Sequence, residues 1–143
     1  MLQTAYIREH KEEVIARLAK RNFDATSALE TILETDNKRR EIQTQNDDLL
    51  AQQNAIAKQI GELFKSGKAA EANAMKEQTT ALKEQSNQLT TALNAKETEL
   101  RNLLLQIPNA PHLSVPAGKS AEDNETVESF GEIPTLHEKA LPH

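Results

Sequence analysis

His112 and Ser114 stand two residues apart, which are the residue types of a base beside a nucleophile. Activating a serine hydroxyl needs more than that. It needs a strained turn such as Gly-x-Ser-x-Gly to expose the oxygen, and a third group to orient the imidazole. The sequence around this pair supplies neither, so His112 is expected to be a surface or packing residue. His137-Glu138 begins like a zinc-protease helix, but the place of the second histidine is taken by Leu141, with Pro142 behind it. The four glycines, Gly61, Gly67, Gly118 and Gly131, lie too far apart for a phosphate-cradling loop. With no cysteine, disulfides and thiolate metal sites are excluded. No catalytic constellation is expected, and what is left to do chemistry is the placement of charge.

Charge is placed by the elements that carry it. The chain has 143 residues, with three Phe, one Tyr and no Trp, so a thick globular core is not expected. Ala, Leu, Glu, Lys and Gln dominate its middle, the composition of long helices with one narrow apolar stripe. The first residues are too charged for a signal sequence, and no apolar run approaches the roughly 20 residues that span a bilayer. A soluble cytoplasmic protein is expected, which makes the formal glycosylation acceptor Asn124-Glu125-Thr126 a coincidence.

The predicted fold is all-α: a long antiparallel two-helix coiled-coil hairpin, short N-terminal helices packed at its base, and an extended C-terminal linker. Ile7, Val14, Ile15 and Leu18 recur at helical spacing, predicting short helices over about residues 3–22. Asp24 or Ser27 can cap the next helix, and Ser27 with Glu30 has capping-box spacing. Two uninterrupted helices are predicted, about 25–64 and 69–107, each about 60 Å long. Between them Gly67 offers a left-handed helix end.

Ile42, Leu49, Ile56, Ile60 and Leu63 fall on a frame spaced by three and four, with polar Asn46 and Gln53 on it. The second frame runs Met75, Thr79, Leu82, Ser86, Leu89, Leu93, Lys96, Leu100, Leu103, Ile107. These are coiled-coil seams, which by themselves also suit a parallel dimer of long helices. Folding back at the glycine pairs Leu63 with Met75, Ile56 with Leu82, Leu49 with Leu89 and Gln53 with Ser86. Polar then meets polar, which favours an intramolecular hairpin and an isolated monomer. Leu29, Ile32, Leu33, Leu103 and Leu104 offer more apolar surface at the base than two helices use, so the N-terminal helices are expected to close over it. Pro108, Pro111, Pro116 and Pro134 then impose an irregular, extended path, and 108–143 reads as a linker whose residues 117–128 are the first open to proteases.

The stretch "LLLQIPNAPHLSVPAGKSAEDN" (residues 103–124) resembles the arm-to-catalytic-domain junction of bacterial-type seryl-tRNA synthetases, class II aminoacyl-tRNA synthetases. "YIREHKEEVIARLAKRN", "LETDNKRREIQTQNDDL" and "QQNAIAKQIG" are similar to that family in the same order, so the resemblance covers essentially the whole chain. It implies that residues 1–107 form an arm that grips the long variable arm of serine tRNA, and that the catalytic domain begins about where Pro142-His143 stand. In that family the catalytic domain attaches serine using ATP and Mg2+ and makes the parent a homodimer. On that resemblance this chain alone is expected to hold no serine, ATP or metal ligand and to be inactive.

Phosphate contacts need cations, and the chain as a whole carries a net charge of −5. Residues 56–83 nevertheless hold Lys58, Lys65, Lys68, Lys76 and Lys83 against Glu62, Glu71 and Glu77. Positive charge therefore gathers at the expected tip. Lys58, Lys65, Lys68 and Lys76 are the expected tRNA contacts, with Asn54, Lys83, Arg39 and Arg40 as second candidates. The competing reading is a stand-alone coiled-coil adaptor or scaffold that binds a partner protein along an incomplete seam.

Overall fold

Helical periodicity without proline yields four helices in the computed structural model, which describes residues 1–132 and 135. They are α1 (Thr4–Glu9), α2 (Lys11–Ala19), α3 (Thr26–Lys65) and α4 (Ala69–Gln106). No strand forms among the described residues. The long helices pack along their length as an antiparallel hairpin, with α1 against the base of α3. Pro134 and the His137-Glu138 and Leu141-Pro142 readings lie outside the described residues.

The seam follows the two sequence frames. From Ile42 to Leu63 and from Met75 to Ile107, every frame position is buried or half-buried. The register differs from the expected one by one to two helical turns. Ser86 Oγ donates to Asn46 Oδ1 at 2.8 Å, while Gln53 Nε2 donates to the Leu82 carbonyl at 3.0 Å. Gln53 and Ser86 therefore do not pair. The observed pairs are symmetric about the turn at Ser66, Gly67 and Lys68, whereas the expected ones are symmetric about Ala69, which is already helix. The turn is tight because Gly67 takes a left-handed conformation, φ 76°. The Gly67 N–H donates to the Phe64 carbonyl and the Lys68 N–H to the Leu63 carbonyl, a Schellman ending that leaves no slack for a longer reversal.

At the start of α3 the first of the two expected residues bonds a free amide, from the position ahead of the N-cap Ala25. Ser27 is already inside the helix, and it is Asp24 Oδ1 that accepts from a free backbone amide, that of Thr26, at 3.0 Å. Just before it, Asn22 adopts φ 56°, a conformation asparagine tolerates better than most residues. That turn sends Phe23 back onto the core.

Full burial is concentrated at the base. Ile7, Val14 and Leu18 from the short helices meet Leu29 and Ile32 of α3, all with no exposed surface, and Leu100 and Leu104 of α4 complete the cluster. Each such side chain contributes about 1.5–3 kcal/mol. Leu33 and Leu103 pack at its edge.

Within this base sits a buried carboxylate, Asp36, 2% exposed. Arg8 of α1 donates to its Oδ2, and Arg39 donates to its Oδ1 through Nε and a terminal nitrogen, each at 3.0 Å. Burial alone would raise the Asp36 carboxyl. The hydrogen bonds from Arg8 and Arg39, and then their charges, outweigh it and hold the carboxyl below its ordinary 3.8. A depressed folded value means that the stabilisation is fully present above pH 3.8 and is lost as pH falls through the folded value. Asp36→Asn removes the counter-charge from two half-buried guanidinium groups and is expected to cost about 2–3 kcal/mol, read by urea unfolding. Its penalty should shrink as the native chain is titrated into that acid window.

Candidate nucleic-acid interface

Helical spacing and the tight turn together arrange the cations of the tip. Asn54, Lys58 and Lys65 are separated by four and seven residues on α3, so they share one face, and Ile56, Ile60 and Leu63 place the seam on the other. Lys76 and Lys83, seven apart, share a flank of α4. All five are exposed. Each row runs along its helix, about 16 Å on α3 and about 10 Å on α4. Among the described residues Lys58, Lys65 and Lys83 make no salt bridge. Lys68 pairs with Glu71 at 3.4 Å, both exposed. Lys76 is engaged differently, its Nζ standing 4.8 Å from the ring centroid of Phe64 across the hairpin.

The second-rank arginines separate. Arg39 spends its donors on Asp36, and its side chain is 25% exposed. Arg40 is exposed beside Asn37, Glu41 and Thr44, with no salt bridge among the described residues. The structure thus places Lys58, Lys65, Lys68 and Lys76 on the turn-side part of the rod, on more than one face, and leaves Arg39 and Arg40 toward the base.

Another set of cations does something that sequence reasoning did not foresee. Beyond Ile107 the chain is extended, and its carbonyls have no helix to accept within. Arg17 Nε donates to the Pro111 carbonyl at 2.7 Å, and Lys20 Nζ to those of Leu113 and Val115 at 2.7 and 3.0 Å. Arg21 reaches Asn109 O and Asn22 reaches Gly118 O. The Gly118 N–H returns a bond to Lys20 O at 3.3 Å. Residues 109–118 are thus strapped to the end of α2 and the turn that follows it. At the end of the strap a Cβ on Gly118 would fall 2.6 Å from that of Asp123. Asp123 accepts from the Lys119 and Ser120 amides and closes a single 3₁₀ turn, Ala121–Asp123. The signal was legible in principle: Arg17, Lys20 and Arg21 close together in the sequence, ahead of a run whose prolines cannot pair in a sheet.

His112 Nδ1 and Ser114 Oγ lie 2.8 Å apart, both exposed. Among the described residues their side chains bond only to each other and to the Ser114 amide, so nothing there orients a base. No group of three or more potential metal-ligating side chains occurs among the described residues. No helix there is long and apolar enough to cross a membrane.

A two-helix rod with a closed base and a lysine-bearing tip can now be set beside known proteins. Residues 1–111 match the family model of the seryl-tRNA synthetase N-terminal domain. The chain belongs to that family. A serine–tRNA ligase of Salinibacter ruber is 34% identical over all 143 residues, which cover 33% of that relative. One from Citrifermentans bemidjiense is 38% identical over the same span, also 33% of its length. One from Neisseria meningitidis serogroup B is 39% identical over 131 residues, 92% of this chain and 30% of the relative. The chain therefore spans about a third of the length of the curated relatives it matches. Among solved structures, the seryl-tRNA synthetase of Pyrococcus horikoshii complexed with ATP has a TM-score of 0.73 at 27% identity, covering 86% of this chain and 27% of that one. The resemblance read from the sequence is a true relationship, and the stand-alone adaptor is not the favoured reading.

The strap also alters where this seryl-tRNA synthetase N-terminal domain should open. Limited proteolysis is expected to cut within 119–132 before 109–118. In Arg17→Met/Lys20→Met the first cuts should move into 109–118, as mapped by mass spectrometry.

Proposed function

We propose that this chain is the tRNA-binding arm of a serine–tRNA ligase, with residues 1–107 as the arm and 108–143 leading toward the catalytic domain. The arm lies along the protruding variable arm of serine tRNA so that the rest of the enzyme can attach serine. The observation that carries the reading is the gathering of lysines at the end of the rod farthest from its core, in a member of this family. A duplex RNA stem has a major groove too deep and narrow for side chains, so proteins read mainly its shape, phosphates and 2′-hydroxyls. A stiff rod with rows of exposed ammonium groups suits that surface. Lys58, Lys65, Lys68 and Lys76 are the proposed phosphate contacts, followed by Asn54, Lys83 and Arg40. Arg39, occupied by Asp36, ranks last.

Serine activation, ATP and Mg2+ belong, in this proposal, to the remaining two thirds of the parent enzyme, as does homodimerisation. The ATP complex of the Pyrococcus horikoshii protein supports ATP use by the parent. The parent is proposed to act in the cytoplasm, where translation takes place.

With about three phosphate contacts, binding of the chain to serine tRNA should fall with salt at a log–log slope of roughly −2 to −3. Lys58→Ala/Lys65→Ala should flatten that slope by about one to two units with unchanged helicity. An unaltered slope, or indifference to deletion of the tRNA's variable arm, would count against the reading. Light scattering of the isolated chain should give a monomer mass independent of concentration, because the hairpin satisfies its own seam.

A further inference from the structure

Phe64 is a large apolar side chain at the far end of the rod, and it is 44% exposed. By contrast, Phe23 packs against the base core. The Phe64 ring is carried on the last turn of α3, where its own carbonyl accepts the Gly67 amide, so the backbone beneath it is fixed. Lys76 crosses from α4 and holds its ammonium 4.8 Å from the ring centroid. At an exposed site such a pair contributes only about 0.5–1 kcal/mol, which is a weak clamp for a hairpin already closed by a Schellman turn. What the pair does achieve is to orient a flat, half-exposed π surface with an ammonium group beside it, at the turn-side end of the Lys83–Lys76 row on α4. An aromatic face beside cations is the surface on which single-stranded nucleic acids stack their bases while their phosphates are neutralised.

We propose that Phe64, oriented by Lys76, is a stacking platform for an unpaired base in the loop that closes the RNA stem. This rests on the tRNA-arm reading and adds to it a contact with a base rather than a phosphate. Inside a stem each base face is covered by its neighbours, and side chains reach only edges, phosphates and 2′-hydroxyls. A ring can stack only where the stem ends. The Lys83–Lys76 row runs along one flank of α4 toward the turn and ends at the Phe64 ring, so a stem lying on it would bring its closing loop to Phe64. Lys76 adds positive charge beside the stacked nucleotide. The arm would then register where the stem stops as well as that it is there.

The test uses the 143-residue chain and two RNA hairpins that share one stem, one closed by an adenosine-rich loop containing 2-aminopurine, the other by an abasic loop. The native chain should prefer the nucleobase loop by about five- to a hundred-fold, the range of one base–aromatic stack, and should change the 2-aminopurine fluorescence. Phe64→Leu keeps apolar bulk and helix propensity; it should abolish the preference while leaving the salt slope intact. Phe64→Tyr should keep the preference. Lys58→Ala/Lys65→Ala should weaken both hairpins equally. Equal affinity of the native chain for the two loops, or a preference that survives in Phe64→Leu, overturns the stacking platform while leaving the tRNA-arm reading standing. Failure to bind either stem at low salt overturns both. Should Phe64→Leu lose helicity, the native chain and Phe64→Tyr still decide the outcome.

Discussion

A pair of helices can hide only one stripe of each from water, and the rest of this molecule is arranged around that constraint. Along the shaft the seam residues Leu49, Ile56, Leu82 and Leu89 are half-buried, because no third element covers them. Among the described residues, large side chains are completely buried only where α1 and α2 fold over the base and add Ile7, Val14 and Leu18 to Leu29 and Ile32. Stability therefore resides at one end. The other end is held by a turn, local hydrogen bonds and a thin seam, and so it is free to present its surface to something large.

Charge is used in opposite ways at the two ends. At the base, cations are consumed internally. Arg8 and Arg39 neutralise the buried Asp36, and Arg17, Lys20 and Arg21 hold the carbonyls of an extended strap that cannot pair by itself. At the tip, Lys58 and Lys65 are exposed and without salt bridges among the described residues. Burial explains the contrast. A buried charge must be compensated inside the fold, whereas a solvated lysine on a thin rod keeps its charge available for an anionic partner.

Polar residues in the seam follow the same rule of compensation. Asn46 and Ser86 are both buried and bond to each other, and Gln53 takes the carbonyl of Leu82. An apolar partner in either place would strand a polar group, so these pairs favour one axial offset of the two helices over its neighbours.

The amino-acid sequence by itself determined whatever depends on local order. The three-and-four spacing specified which face of each long helix is covered. Gly67 marked the reversal, Pro108 lies just past the last long helix, and the apolar surplus around Leu29, Ile32 and Leu104 announced a covered base. The lysines between residues 56 and 83 could be counted from the sequence alone. Only the tertiary structure decided the partnerships. A seam that repeats every seven residues accepts several axial offsets, and the Schellman geometry of the turn selects the one that joins Asn46, not Gln53, to Ser86. Asp36 and Arg39 lie on one helix, but Arg8 reaches them only because α1 folds back. The strap exists because α2 ends beside residues roughly ninety positions later, and the Lys76 ammonium meets the Phe64 ring because the chain reverses between them. Periodicity is a property of neighbours in the chain, whereas pairing depends on how far two helices slide past each other, and that is set by the geometry of the turn.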